Sequence, residues 1–280
     1  MIKKSAVCLA ALLLATGLAL AQTPVERGSY LVNTIMTCGN CHSPKGPPEM
    51  VAGKDFSGGL RFDEPPFDVT ASNITPDKET GIGRWSDADI KRALLDGVRP
   101  NAVRLAEIMP TNFYRILIPS DLDAIVAYLR TLKPVANKVP EPVYKIALPH
   151  VIFPGAEKPF ARRDLNEKIK RGFYLATIGH CMECHTPMTQ AGVDYKNSLG
   201  KGNREFPGPW GISKSLNITS HRNAGVGAWS DAEIKRAITQ GISRDGRKML
   251  PPMGYGYYAK MTDADLDTIA AYLRTVPAKE

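Results

Sequence analysis

The chain contains one long internal repeat, and this repeat constrains the fold more than any other feature of the sequence. The second half matches the first at a shift of 144 residues over most of its length. The matching segments are 27–31 with 171–175, 73–75 with 217–219, 81–87 with 225–231, 90–93 with 234–237 and 127–131 with 271–275. Solenoid repeats are about 20–50 residues long, so a repeat of this length indicates a duplicated domain.

Length and composition agree with two globular domains. The chain has 280 residues, of which 43% are hydrophobic and 23% are charged, and these are ordinary values for folded domains. Between the halves, residues 134–159 contain six prolines and no long periodic run, which predicts a stiff, extended linker. We therefore divide the chain into a signal segment (1–21), a first domain (22–133), a linker (134–165) and a second domain (166–280).

Both halves are predicted to be all-α, with a few helices joined by long loops. A short first helix covers residues 26–36, and Ser86 and its counterpart Ser230 are typical N-caps of a second helix. The last helix of each half carries apolar residues at helical spacing: Leu122, Ile125, Val126 and Leu129, and Leu266, Ile269, Ala270 and Leu273. Residues 43–84 and 186–228 form long loops without the alternation typical of strands. Loops of this length in a compact domain indicate that a large cofactor fills part of the core.

The N-terminus has the pattern of an export signal. Lys3 and Lys4 form a basic start, an apolar run follows, and Ala19-Leu20-Ala21 is an A-x-A cleavage signal. The apolar run is short for a membrane-spanning helix, and an uncleaved anchor is the alternative interpretation. We expect cleavage near Ala21 and a periplasmic protein.

The charge balance limits the classes of partner. The net charge is +8, and removal of Lys3 and Lys4 with the signal lowers it to +6. An excess of this size favours steering of an acidic partner protein. The sequence has no basic run suited to nucleic acid, so nucleic-acid binding is not expected. Beyond the N-terminal run no stretch approaches 18 consecutive apolar residues, so we expect no transmembrane segment after signal removal.

The four cysteines beyond the signal all lie in Cys-x-x-Cys-His motifs. These motifs are Cys38-Gly39-Asn40-Cys41-His42 and Cys181-Met182-Glu183-Cys184-His185. The pattern is the attachment signature of c-type haem. Two thiols three residues apart reach the two vinyl groups of one porphyrin and form thioether bonds, and the adjacent histidine lies under the iron. We therefore predict two covalently attached c-type haems, with His42 and His185 as axial ligands.

Other kinds of site also use a Cys-x-x-Cys pair. Such a pair serves elsewhere as a redox dithiol, as half of a zinc site or as a disulfide in an oxidising compartment. The two pairs are too far apart in sequence for a standard zinc ribbon, although sequence distance alone does not forbid contact. A histidine follows both pairs, at equivalent places in an exported and duplicated chain, and this favours haem over the alternatives.

An electron carrier needs a sixth ligand on each iron, and methionine is the expected one. Among nine methionines, the repeat selects Met109 and Met253. Each lies twelve residues before the aspartate that opens the last helix, and each has a proline close by. Met249 is the rival in the second half, but its counterpart in the first half is Leu105. Core packing is the alternative role for both methionines.

The remaining histidines and the repeated tryptophans carry weaker signals. His150, His180 and His221 have no histidine counterpart in the other half, which favours surface or packing roles. Trp85 and Trp229 do recur, and they either line the haem edge or pack in the core. None of these residues is assigned as a ligand.

The motifs taken together resemble the class I c-type cytochromes. Their order is Cys-x-x-Cys-His, Asn-Ile-Thr, Gly-x-Gly-x-Trp-Ser, a methionine loop and Ala-Tyr-Leu-Arg. More narrowly, the chain resembles the multihaem cytochrome c subunits of periplasmic alcohol, aldehyde and sugar-acid dehydrogenases, and the resemblance covers both halves. It implies a protein without catalysis of its own, which takes electrons from a dehydrogenase, passes them between two haems and delivers them to a small cytochrome or a terminal oxidase.

A dihaem enzyme is the competing interpretation. Peroxidase-like proteins and sulfur-compound dehydrogenases have one haem iron with an open or unusual ligand. No cysteine beyond the signal is spare for such an iron, and an open iron would require Met109 or Met253 to be detached. Many subunits in the resembling group carry three haems, whereas two motifs are present here, which favours a free periplasmic carrier as much as a fixed subunit.

Overall fold

A computed structural model of the chain describes residues 22–45, 51–147, 151–189 and 192–280. The proposed export signal and His150 lie outside these ranges. No helix within them is long and apolar enough to cross a membrane.

The first half consists of helices around a small antiparallel sheet. The helices are α1 (Pro24–Tyr30), which continues into a π-helical turn (Leu31–Ile35), α2 (Cys38–His42), α3 (Asp87–Asp96), a 3₁₀ helix (Thr111–Ile116) and α4 (Pro119–Thr131). The strands are β1 (Arg61–Glu64), β2 (Phe67–Thr70) and β3 (Val143–Tyr144), paired in the order β1-β2-β3.

The second half repeats this order of elements. Its helices are α5 (Lys168–Ile178), α6 (Cys181–His185), α7 (Asp231–Gln240), α8 (Tyr255–Tyr258) and α9 (Asp263–Leu273), and a 3₁₀ helix (Arg162–Asn166) precedes them. Its strands form two hairpins, β4 (Met188–Thr189) with β5 (Gly192–Val193), and β6 (Glu205–Gly208) with β7 (Gly211–Lys214). Helices α5, α6, α7 and α9 therefore correspond to α1, α2, α3 and α4, and the β6-β7 hairpin corresponds to β1-β2.

The long loops contain strands, which the all-α prediction did not include. The predicted loop 43–84 holds the β1-β2 hairpin, and 186–228 holds both hairpins of the second half. These strands are two to four residues long, and alternation over so few positions is not distinguishable from chance in a sequence. The fold is thus helical around the cysteine motifs, with small sheets in the intervening loops.

Local sequence signals explain where the second helix of each half begins and ends. Ser86 accepts a hydrogen bond from the backbone N–H of Asp89 at 3.1 Å, and Ser230 accepts one from Glu233 at 3.2 Å. The acidic side chains bond back to the serine N–H groups, which completes a capping box at both helices. Both helices end at glycines in the left-handed conformation, Gly97 and Gly241.

The proline-rich segment between the halves packs against both of them. Val143–Tyr144 adds a third strand to the first-half sheet. Further along, Phe153 is 1% exposed. Its ring stacks on Phe113 of the first half at 4.8 Å and on Phe173 of the second half at 6.3 Å between centroids. One continuous core therefore includes side chains from both halves and from the segment that joins them.

The first and last helices of each half cross in direct backbone contact. A Cβ on Gly28 would lie 1.9 Å from the carbonyl oxygen of Ala124, and a Cβ on Gly172 would lie 2.0 Å from that of Thr268. Glycine is therefore required at both crossings, because no other residue leaves room for the facing helix. This explains why the Arg-Gly-x-Tyr-Leu segment recurs in the repeat.

Two buried aspartates connect these helices within and between the halves. Within each half, Arg27 donates two hydrogen bonds to Asp121 at 2.9 and 2.7 Å. Arg171 pairs with Asp265 in the second half, with Nε and Nη2 lying 2.9 and 2.6 Å from the single oxygen Oδ1.

Two equivalent tyrosines each donate a hydrogen bond to the buried aspartate of the other half. Tyr174 of the second half donates to Asp121 of the first at 2.8 Å, and Tyr30 of the first half donates to Asp265 of the second at 2.7 Å. Such reciprocal contacts between equivalent residues are the property of a two-fold interface. Both carboxylates are 2% exposed, so the interface depends on buried, charge-assisted hydrogen bonds.

One added methyl group at either helix crossing is expected to destabilise the fold. Gly28→Ala or Gly172→Ala is expected to lower the free energy of unfolding by about 3 kcal/mol, because the new Cβ forces the two helices apart. Urea unfolding followed by circular dichroism measures the loss. Gly256→Ala is the matched control, since a Cβ there meets no atom within 4 Å. Equal stability of all three variants would contradict the crossing.

The exchanged hydrogen bonds predict a smaller, separate effect. Tyr174→Phe and Tyr30→Phe are each expected to cost about 2 kcal/mol, the usual value for a hydrogen bond to a charged group. Tyr255→Phe serves as the control, because its hydroxyl makes only a long, exposed bond of 3.3 Å to Leu250. The same urea experiment tests this, and a loss no larger than that of the control would show that the exchanged bonds do not stabilise the interface.

Candidate functional site

The two cysteine motifs form short helices, and each helix follows a residue in the left-handed conformation. Helix α2 follows Thr37, which has φ 48°, and α6 follows His180, which has φ 42°. This left-handed residue turns the chain sharply from the preceding helix into the motif. Within each motif the two cysteines are three positions apart, which places their side chains on the same face of the helix. Each half therefore presents a thiol pair with a histidine directly after it.

The four thiols are free and half-buried in the structure. Burial raises the pKa of Cys38 and Cys184 to about 12 and that of Cys181 to about 11, and it also raises the pKa of Cys41. The disulfide alternative is not the arrangement seen. Nor do the described ranges contain three His, Cys, Asp or Glu side chains grouped to hold a metal ion, so no zinc-ribbon cluster forms there.

Each motif histidine is oriented by a backbone carbonyl. His42 Nδ1 donates to the carbonyl oxygen of Ser72 at 2.7 Å, and His185 Nδ1 donates to that of Leu216 at 2.7 Å. Because a carbonyl only accepts, the proton lies on Nδ1 and the lone pair on Nε2. Burial lowers the pKa of both imidazoles, which keeps them neutral. This is the state in which a histidine binds a metal, with its second nitrogen held by an outer partner.

The repeated Asn-Ile-Thr segment holds these carbonyls in place. Asn73 Oδ1 accepts from the backbone N–H of Thr75 at 3.0 Å, and its amide donates to the carbonyl oxygen of Val135 at 2.7 Å. Asn217 makes the same pair of bonds, to Thr219 at 2.9 Å and Lys279 at 2.7 Å. Sequence reasoning noted this repeat without assigning it a role. The structure shows that the asparagine fixes the loop carrying the histidine's acceptor to the chain beyond the last helix.

The proposed methionines lie in equivalent loops. Met109 and Met253 are both half-buried, and the carbonyl of each accepts from the residue two positions later, Thr111 at 2.7 Å and Tyr255 at 3.0 Å. Each methionine thus lies two residues before a short helix, which begins at Thr111 or Tyr255, and Met109 packs against the common core. Their role as iron ligands stays a prediction, as does the choice of Met253 over Met249.

The other residues singled out by the sequence have local structural partners. Trp85 and Trp229 pack against the core, and their carbonyls accept from Arg130 at 2.5 Å and Arg274 at 2.6 Å. The repeated Ala-Tyr-Leu-Arg segment supplies the arginines that hold the backbone of both tryptophans. A position at the haem edge stays the alternative prediction for the rings.

The non-motif histidines that the structure describes also bond locally. His180 Nδ1 lies 3.0 Å from Glu183, and His221 Nδ1 accepts from the backbone N–H of Ala224 at 3.0 Å. Both partners lie within three residues of the histidine, in agreement with the surface and packing roles expected.

Contacts between the halves lie next to both cysteine motifs. The hydroxyl oxygen of Tyr257, from the second half, lies 3.2 Å from the position of a Cβ on Gly39 in the first motif. Gly179, two residues before the second motif, lies against the first half, since a Cβ there would be 3.3 Å from the carbonyl oxygen of Ile35. Each motif therefore lies close to a contact between the halves.

Comparison with known proteins gives consistent relatives. The family model described as Cytochrome c matches residues 169–277. The fructose dehydrogenase cytochrome subunit of Gluconobacter japonicus is 30% identical over 91% of this chain and 53% of its own length. The gluconate 2-dehydrogenase cytochrome c subunit of Pantoea cypripedii is 31% identical over 91% of this chain and 60% of its own. The chain therefore spans just over half the length of these dehydrogenase subunits.

A third relative matches over most of both chains. The diheme cytochrome c-type protein of Cereibacter sphaeroides is 30% identical over 87% of this chain and 83% of its own length. The relatives named here are cytochromes or cytochrome subunits. Together with the two Cys-x-x-Cys-His helices and their oriented histidines, these matches show that the chain belongs to the cytochrome c family.

Proposed function

We propose that this protein is a periplasmic electron-transfer cytochrome with two tandem cytochrome c domains, each carrying one covalently attached haem. One observation carries the proposal. In both halves the histidine of a Cys-x-x-Cys-His helix donates Nδ1–H to a backbone carbonyl at 2.7 Å. A single such motif has several uses, but two copies with the same outer partner, in a chain of this family, fit two haems.

The residues present fit the haem chemically. Cys38 and Cys41 supply the two thiols for one set of thioether bonds, and His42 offers a neutral Nε2 to the iron. Cys181, Cys184 and His185 supply the same set in the second half. Met109 in the first half and Met253 in the second would supply a thioether sulfur as the further iron ligand, as in cytochromes that transfer electrons. When bound, the haem supplies one-electron exchange between ferric and ferrous iron.

The protein's own contribution is to hold these groups still. The carbonyls of Ser72 and Leu216 fix the orientation and the tautomer of the two histidines. The asparagines of the Asn-Ile-Thr segments fix those carbonyls in turn. Contacts between the halves lie next to both motifs, at Gly39 and at Gly179, so two haems held by these motifs would supply electron exchange between the halves.

The donor and acceptor follow from the family and the N-terminus. Two relatives are cytochrome subunits of dehydrogenases, which supports a dehydrogenase as electron donor. We expect a small cytochrome or a terminal oxidase as acceptor. The basic, apolar and A-x-A pattern of residues 1–21 supports export and cleavage near Ala21, and so supports the periplasm as the compartment of both reactions.

Haem count and ligation test the function directly. Mass spectrometry is expected to find two haems per chain, and the reduced spectrum is expected to show two low-spin haems unchanged by carbon monoxide. This outcome requires a strong sixth ligand on both irons. Carbon monoxide binding at one haem would instead support the dihaem enzyme with one open iron.

Removing one thiol pair is expected to remove one haem. The double variants Cys38→Ala/Cys41→Ala and Cys181→Ala/Cys184→Ala should each carry a single covalent haem, because each lacks both thioether positions of one site. Mass spectrometry of the denatured protein measures the count. The two variants are matched controls for each other, and two covalent haems in either one would disprove the attachment sites.

Removing the proposed methionine is expected to expose one iron. Met109→Ala and Met253→Ala should each lower one of the two reduction potentials and let carbon monoxide bind at one haem, since methionine ligation raises the potential. Redox titration followed optically measures both effects. Met249→Leu and the exposed Met188→Leu are the controls. An effect of Met249→Leu with none from Met253→Ala would transfer the assignment to Met249.

A further inference from the structure

The loops before the two methionines have opposite surroundings, although they are repeats of each other. In the first half, Ala106 is 5% exposed and packs with Phe67 and Val69, with Tyr144 of the proline-rich segment against them. The Tyr144 hydroxyl also donates to the carbonyl of Arg104 at 2.5 Å. The proline-rich segment therefore covers this loop. In the second half the counterpart of Ala106 is Leu250, which is 43% exposed.

In the second half, a tight turn rich in basic residues directly precedes the exposed Leu250. Ile242 and Lys248 pair across the turn, and the backbone N–H of Ser243 donates to Arg247 at 2.9 Å. Arg244, Arg247 and Lys248 are exposed at its tip. Among the described residues, the side chains of Arg247 and Lys248 have no ion-pair partner. We call residues 243–248 the basic turn.

The acidic groups near the basic turn are already engaged. Glu233 lies 3.4 Å from Arg244. Asp245 accepts from the hydroxyl of Ser243 and from the N–H of Arg247 within the turn itself. A further arginine, Arg236, lies beneath the turn and donates to its backbone carbonyls. The turn and these neighbours hold four basic and two acidic side chains, so its surface is positive.

The basic turn leads toward the second haem site. A cavity of about 440 Å³ beside it is lined by Arg244, Arg247, Trp229 and Leu216. Leu216 is the residue whose carbonyl holds His185. In the first half, the position equivalent to Ser243 is occupied by Arg99. The Arg99 side chain donates to the hydroxyl of Ser72 at 3.0 Å and lies 3.9 Å from Glu141 of the proline-rich segment.

The second half as a whole is also more positive than the first. Residues 22–133 carry 13 basic and 14 acidic side chains, whereas residues 166–280 carry 16 and 11. An acidic partner is therefore steered to the second half. The local turn and the overall field point to the same face.

We propose that the basic turn, with exposed Leu250 beside it, is the docking surface for an acidic redox protein. Electrons would then pass between the second haem and this docked partner. The first haem then exchanges electrons through the second. This rests on the proposed function. In the docked complex one electron leaves or enters the second haem per encounter, and the partner's redox centre is reduced or oxidised by the same electron.

Small charged oxidants test the surface without an identified partner. The fully reduced dihaem protein is mixed with hexacyanoferrate(III), an anion that takes one electron and becomes hexacyanoferrate(II), in a stopped-flow instrument. Lys248→Glu is expected to slow this oxidation by roughly three- to tenfold at low ionic strength. At 1 M salt the Debye length is about 3 Å, so the difference should disappear. The tris-phenanthroline cobalt(III) cation should react faster with the variant than with the wild type.

Arg104→Glu is the matched control. Arg104 is exposed, lies at the repeat position of Lys248, and pairs with Val98 as Lys248 pairs with Ile242. The substitution changes the net charge equally, and we expect less than a twofold effect on hexacyanoferrate(III). Equal slowing by both variants would overturn the proposal, because it would reflect overall charge and not the basic turn.

Two further measurements distinguish docking of a partner from a direct effect of the turn on the haem. Poly-L-glutamate, an acidic polymer without a redox group, should slow the wild type and Arg104→Glu but have little effect on Lys248→Glu. Both reduction potentials should be unchanged in Lys248→Glu, and a shifted potential would show that the turn acts on the haem instead of on a partner. Failure of the proposed function is distinct from these outcomes, since it would appear as missing haem or carbon monoxide binding in the wild type.

Discussion

The structure depends on two buried carboxylates, Asp121 and Asp265. Each accepts from an arginine of its own half and from a tyrosine of the other half, so the same side chain stabilises both the domain and the interface. A charge at 2% exposure is tolerated because these charge-assisted bonds replace its lost hydration. Removing an arginine would leave the charge under-compensated, which is far more costly than removing a tyrosine hydroxyl.

The helix crossing and these carboxylates together place the cysteine motifs. Helices α1 and α5 cross α4 and α9 at Gly28 and Gly172, and each then runs directly into its motif. A change in either crossing angle would therefore move a thiol pair and a histidine as one unit. The outer partners of the histidines are carried on separate loops, which are tied by asparagine to the chain beyond the last helix. The positions of the thiols and histidines thus depend on contacts that are far apart in the sequence.

The two halves have similar scaffolds but different surfaces. The hydrogen bonds that orient His42 and His185 have the same length of 2.7 Å in both halves. The proline-rich segment, however, occurs once between them and packs on the first half, where it adds β3 and covers Ala106. The corresponding face of the second half remains exposed. The difference in covering between the two methionine loops therefore comes from the connection between the halves.

The amino-acid sequence by itself determined the family, the repeat and the chemistry of the motif residues. These features are local: a Cys-x-x-Cys-His segment, a capping serine or a helix-ending glycine acts on neighbours within a few positions, so spacing alone is informative. The short strands were missed because alternation over two to four residues carries too little signal.

Only the tertiary structure decided which groups meet over long distances. The acceptors of the histidines are backbone carbonyls of Ser72 and Leu216, and a carbonyl is present at every residue, so no residue type marks that position. The exchange of Tyr30 and Tyr174 between the halves, and the covering of one methionine loop but not the other, likewise depend on how the packed halves lie against each other. Local spacing specifies which groups are available, whereas packing specifies their partners.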